Sequence, residues 1–69
     1  MNMEVIGTYA GLVWNALNDV ESHSLPSKKI KRVTKLKDKE LYAAIGWLGR
    51  EGKLDIAEIE GDIVLSLVK

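Results

Sequence analysis

The chain has 69 residues, with ten Lys plus Arg against ten Asp plus Glu, one His and no Cys. That length fits one small domain, residues 1–69. It leaves no room for an enzyme built around a cleft between two halves. Without Cys there is no disulfide framework and no thiolate nucleophile, and a lone His cannot complete the usual zinc set, so neither a metal nor a cofactor is expected.

The opening segment, MNMEVIGTYAGLVWNALNDVE, has no basic leader, and its longest apolar run is three residues. Neither a signal peptide nor a membrane span is expected, and with a Cys-free composition this gives a cytoplasmic expectation. Residues 3–21 read as a helix. Ile6, Ala10, Val13, Leu17 and Val20 form an apolar row, with Val5, Tyr9, Leu12 and Ala16 beside it. Thr8, Asn15, Asn18 and Asp19 take the opposite side. A stripe this broad suits either a central core helix or one that also meets a partner. Gly7 and Gly11 let another backbone come close, and Trp14 stands at the edge of the stripe. In ESHSLPS, Pro26 breaks the helix and Ser27 is the expected N-cap of a second one over residues 28–36. In that helix Ile30 and Val33 point inward, and Leu36 follows in the turn. Asp38 is the next N-cap candidate, for a third helix over 39–51 with Leu41, Ala44, Ile45 and Leu48 on one face. Trp47 sits on its flank, and Gly52 fits the left-handed position after its end. The period then changes to that of strands. KLDIAEIE and DIVLSLVK alternate around a Glu60-Gly61-Asp62 turn and form a hairpin whose last strand is apolar on both faces until Lys69.

Net charge is zero, yet the charge is segregated. Glu4, Asp19 and Glu21 make residues 1–27 acidic; Lys28, Lys29, Lys31, Arg32, Lys35, Lys37 and Lys39 against Asp38 make residues 28–39 strongly basic. Glu51, Asp55, Glu58, Glu60 and Asp62 outweigh Lys53 and Lys69 after that. Seven of the ten basic residues therefore lie within twelve positions.

Three helices followed by a two-stranded antiparallel hairpin form an α+β order that resembles the winged helix-turn-helix fold. The residues that carry the resemblance are LPSKKIKRVTKLKDKELYAAIGWLGREGKLDI. Leu25 matches the extended segment before helix two, Ile30 and Val33 its core positions, and Leu36 the buried residue of the turn. Leu41, Ile45 and Leu48 match the inner face of the recognition helix, and GWLGREGKLDI leads into the wing. In size and general appearance the chain is similar to a small family of stand-alone winged helix-turn-helix proteins of gut-type anaerobic bacteria, to which no function is assigned. Two positions depart from the fold family's habits. Lys35 stands where the turn often carries Gly, and the wing tip is acidic where wings that touch DNA usually carry Arg or Lys.

The resemblance implies a nucleic-acid-binding protein, a small transcriptional or nucleoid-associated regulator. Helix three would offer Lys39, Tyr42, Ala43, Gly46 and Arg50 to the major groove, with Lys39 or Arg50 donating to guanine edges. Lys28, Lys29, Lys31, Arg32, Lys35 and Lys37 would meet phosphates, fixing position rather than sequence. A solvated basic helix on a small scaffold gives the same charge pattern. So does the opposing reading, a protein-interaction winged helix without a DNA role. That reading draws on the acidic wing, the apolar last strand and the broad stripe of helix one, and extends to a homodimer through helix one and the C-terminal hairpin. Two copies would set two third helices about one DNA turn apart. Catalysis is not expected. His23 has Ser22, Ser24 and Asp19 only as chain neighbours, and residues 55, 58, 60 and 62 are spread too widely for a metal site or carboxylate pair.

Overall fold

The computed structural model describes residues 1–68, so Lys69 lies outside the described residues. The elements are α1 (Met3–Asn18), β1 (Ser24–Pro26), α2 (Ser27–Thr34), α3 (Asp38–Arg50), β2 (Leu54–Ile59) and β3 (Asp62–Leu67).

Helix α1 starts at Asn2, whose side chain accepts from the Val5 N–H at 2.8 Å. Ala10, Val13, Ala16 and Leu17 are buried, as their spacing predicts. Leu12 is exposed instead, because it lies about 100° round the helix from Val13 and beyond the arc its neighbours cover. The helix ends at Asn18, three residues before the expected stop at Glu21. The chain then turns back through His23, whose φ is 53°. The His23 ring reaches the end of α1, with Nδ1 3.3 Å from the Leu17 carbonyl.

Where the sequence predicts a two-stranded hairpin, the sheet has three antiparallel strands in the order β1-β3-β2. Ser24, Leu25 and Pro26 pair with Ser66, Leu65 and Val64. This explains the apolar character of the last strand, which is the central one. Leu65 is fully buried, Ile63 and Leu67 pack beside it, and the Ser66 hydroxyl donates to Ser24 Oγ at 2.9 Å on the other face.

Pro26, extended at φ −65° and ψ 148°, is the N-cap of α2, and Ser27 is its first helical residue rather than its cap. Ile30 is fully buried, but Val33 is 57% exposed, against the expectation that both point inward. The inner row is Ile30 and Thr34, one turn apart; Thr34 Oγ1 donates to the Ile30 carbonyl at 2.7 Å, and Val33 sits round the side. Lys35 does adopt the left-handed conformation, φ 61° and ψ 22°, and its N–H reaches the Lys31 carbonyl at 2.9 Å. This sharp stop drops Leu36 into the core and sets the angle between α2 and α3.

The N-cap of α3 is Lys37, not Asp38. Glu40 supplies the capping contact by accepting the Lys37 N–H on Oε1 at 2.8 Å. Leu41, Ala44, Ile45 and Leu48 are all buried, so the expected inner face of this helix is the observed one. At its far end the Gly52 N–H bonds the Gly49 carbonyl at 3.1 Å and the Lys53 N–H bonds the Leu48 carbonyl at 3.0 Å, with Gly52 at φ 71°. This is the Schellman pattern, and it aims the chain into β2. The hairpin loop is Glu60-Gly61, both left-handed at φ 51° and 82°, as a tight two-residue turn requires. Asp62 already pairs with Ile59 and belongs to β3. Along β2, an edge strand, only Leu54 is buried, while Ile56 and Ile59 face solvent.

Candidate nucleic-acid interface

Basic residues on α2 divide by helical position. Lys28 and Arg32 form one row and Lys31 leads toward Lys35, whereas Lys29 shares the row of Val33 on a different side. Lys28 and Lys31 look toward the wing and the start of α3. There they meet carboxylates: Lys28 Nζ lies 3.3 Å from Asp62 Oδ1 and Lys31 Nζ lies 2.6 Å from Asp38 Oδ1. A cleft of about 300 Å³ collects Ser27, Lys28, Lys31, Asp38, Tyr42 and Gly61 at this junction. The Lys28 side chain is 84% exposed and that of Asp62 51%, so water screens the pair and its contribution to stability is at most about 1 kcal/mol.

Lys37 and Lys39 lie apart from that cleft, in a depression with Met1, Val5, Tyr9 and Glu40 beside the N-terminal half of α1. The Lys37 backbone N–H, foremost, and then the Tyr9 hydroxyl hold the Glu40 carboxyl below its ordinary pKa. The same hydrogen bond, with some burial and the adjacent negative charge, holds the Tyr9 phenol above its own. Glu40, in the first turn of α3, thus shares a depression with Tyr9 of α1.

Lys39, Tyr42, Gly46 and Arg50 are exposed on the outer side of α3, and Ala43 is half-buried. Tyr42 borders the basic cleft on the wing side. On the opposite side, Ala43, Gly46 and Arg50 line a groove of about 490 Å³ with Met3, Ile6 and Trp47. A neighbouring depression continues it past Trp47 to Gly7, Gly11 and Trp14. The outer face of α3 therefore runs between a charged cleft and an apolar groove.

The fold gathers Lys28, Lys31 and Tyr42 in one cleft and sets Lys37 and Lys39 in another depression, while Lys29, Arg32 and Lys35 are exposed outside both. Sequence reasoning missed that Asp62 and Asp38 are placed on the very lysines expected to meet phosphate. The signals were Asp38 inside the basic run and the acid at the wing tip. It also missed the groove between α1 and α3, whose signal was small residues at helical spacing on both elements. Among the described residues no three His, Asp or Glu side chains converge as a metal site, and no helix is long and apolar enough to cross a membrane.

The outline of three helices and a small antiparallel sheet is shared with a protein of solved structure. The solution NMR structure of protein BT2368 from Bacteroides thetaiotaomicron superposes with a TM-score of 0.82 at 31% sequence identity, covering 97% of this chain and 79% of that one. No curated protein matches the chain. The family described as Winged helix-turn-helix domain (DUF2582) matches residues 1–67, and the chain belongs to it.

Proposed function

We propose that this domain binds duplex DNA, as a small cytoplasmic transcriptional or nucleoid-associated regulator, with α3 in the major groove and α2 on the phosphates. The observation that carries the reading is the open outer face of α3, where Lys39, Tyr42, Gly46 and Arg50 are solvent-exposed and Tyr42 borders the cleft holding Lys28 and Lys31. Arg50 or Lys39 donates to base edges, while Lys28, Lys31, Arg32 and Lys35 position the duplex. The acidic wing stays out of the groove, because phosphates repel Glu60 and Asp62.

The test is a salt-dependent duplex titration. Lys28→Ala and Lys31→Ala weaken binding equally on all sequences, and Arg50→Ala shifts the sequence preference. Absence of duplex binding at about 50 mM salt refutes the reading, since non-specific affinity is strong at low ionic strength.

One observation favours the second reading, a protein-binding or homodimeric winged helix. Met3, Leu12 and Trp14 are exposed on α1 and Ile56 and Ile59 on the hairpin, and the groove beside α1 is apolar. A light-scattering mass at micromolar concentration tests the homodimer, and a 7.7 kDa monomer rejects it.

A further inference from the structure

We infer that Asp62 and Asp38 occupy the places of two phosphates on this domain's own basic surface, so that a duplex binds only by displacing them. The inference rests on the duplex reading above and sets its strength.

Backbone register puts the first carboxylate in place. Strand β1 pairs with β3 as Ser24↔Ser66, Leu25↔Leu65 and Pro26↔Val64. Two steps further along the same register bring residue 28 opposite residue 62, and there Lys28 Nζ and Asp62 Oδ1 stand 3.3 Å apart, although the chain has by then turned into α2. The tight Glu60-Gly61 turn fixes the start of β3 at that point. The second carboxylate is set by the helix-turn-helix itself. The left-handed Lys35 folds α3 back so that Asp38, in its first turn, meets Lys31. Both acids are therefore delivered by main-chain geometry to the side of α2 that faces the junction with α3.

A carboxylate oxygen and a phosphate oxygen are equivalent acceptors for an ammonium group. A lone phosphate that replaces Asp62 on Lys28 exchanges one ion pair for another and leaves the carboxylate unpaired. A polyanion makes many contacts at once and releases the counterions condensed on it, so only a nucleic-acid backbone overcomes the exchange. The wing is then a built-in competitor that lowers non-specific affinity.

The experiment is a duplex titration at several salt concentrations with the full chain and four variants: Asp62→Asn, Asp62→Asn with Asp38→Asn, Asp62→Asn with Lys28→Ala, and Glu21→Gln. Glu21→Gln removes the same charge from the exposed turn after α1 and touches neither lysine. Asp62→Asn is expected to tighten binding about threefold and the double carboxylate variant about tenfold, the range of exposed ion pairs. The salt slope should stay at the wild-type value, because the same lysines meet phosphate once the acids are displaced. Lys28→Ala should cancel the gain from Asp62→Asn, and Glu21→Gln should leave the affinity near that of the wild type. If the wild-type chain binds duplex and Asp62→Asn behaves like Glu21→Gln, competition by the wing is overturned while the duplex reading stands. If no variant binds duplex at low salt, the duplex reading falls and this inference falls with it.

Discussion

Replacing Lys35 by Gly separates the fold's requirement at the α2–α3 turn from the charge carried there. Lys35 sits at φ 61° and ψ 22°, where its Cβ crowds the following carbonyl at a cost of about 1–2 kcal/mol. Glycine removes that clash but gives the unfolded chain more freedom, which costs about 0.5–1 kcal/mol. The net gain for Lys35→Gly is about 0.5–1 kcal/mol, a rise in Tm of about 3–7 °C for a domain of this size. Lys35→Ala keeps the Cβ and loses the same charge, so it should melt close to the wild type. Thermal unfolding followed by far-ultraviolet circular dichroism, with urea titrations to confirm an unchanged m-value, reads the difference. In the duplex titration both variants should lose the same amount of salt slope, about 0.9 if Lys35 meets a phosphate. Equal melting temperatures for the Gly and Ala variants, or a Gly variant that melts below the wild type, would refute the backbone account of this turn.

Three further outcomes follow from burial and charge. Leu65→Ala, at the fully buried centre of the sheet, should cost about 2–5 kcal/mol and leave much of so small a domain unfolded at 25 °C, as a urea titration will show. Val33→Ser should change stability by less than about 0.5 kcal/mol, because that side chain faces water; a large loss would place it in the core after all. For Glu40, a pKa held below the ordinary carboxylate value means stability that is present above the unfolded-state value and lost as pH falls through the depressed one. Glu40→Gln should therefore lower Tm at neutral pH, and the gap should close in acid. A gap of constant size across that range contradicts the assigned contacts with Lys37 and Tyr9.

What could be read in the sequence was whatever depends on local period. The inner face of α3 followed from four apolar residues at three- and four-residue spacing, and the left-handed Gly52 from its place after Arg50 and Glu51. What escaped depends on contacts distant in the chain. The strand at Ser24–Pro26 is too short to show a period, and it exists because β3 offers it hydrogen bonds. Val33 fits an inward pattern as well as Thr34 does, until the packing of α2 turns the Ile30–Thr34 row inward. For the candidate site, the sequence showed which residues are basic and which face of α3 is outward. It did not show that Lys28 and Lys31 are paired with acids, since those pairings arise from a strand register and a turn rather than from neighbourhood along the chain.

Gly46 brings the two functional readings to a single position. It lies mid-way along the outer side of α3, and a Cβ added there meets nothing within 4 Å, so the fold has no packing use for a glycine. Gly46→Ala should stabilise the helix by as much as about 1 kcal/mol. Gly46→Leu puts a bulky group at the same point, at the edge of the groove with Met3 and Trp47. A helix with its side chains is about 10–12 Å across and the major groove is about 12 Å wide, so an inserted α3 has no space for that group. If α3 enters the groove, Gly46→Leu should lower duplex affinity about tenfold or more while leaving the salt slope of the phosphate contacts unchanged. If the basic residues bind the backbone without insertion, affinity should stay at the wild-type level. If the groove shared with Met3 and Trp47 is a self-association surface, the same substitution should shift the solution mass and leave duplex binding absent throughout. Because Ala43, Gly46 and Arg50 line that groove and also form the outward face of α3, a partner docked there covers the residues a duplex would need. A partner in that groove therefore excludes a duplex, whereas a dimer through the exposed side of α1 and the hairpin does not, and a titration and a mass measurement on this one variant separate the two cases.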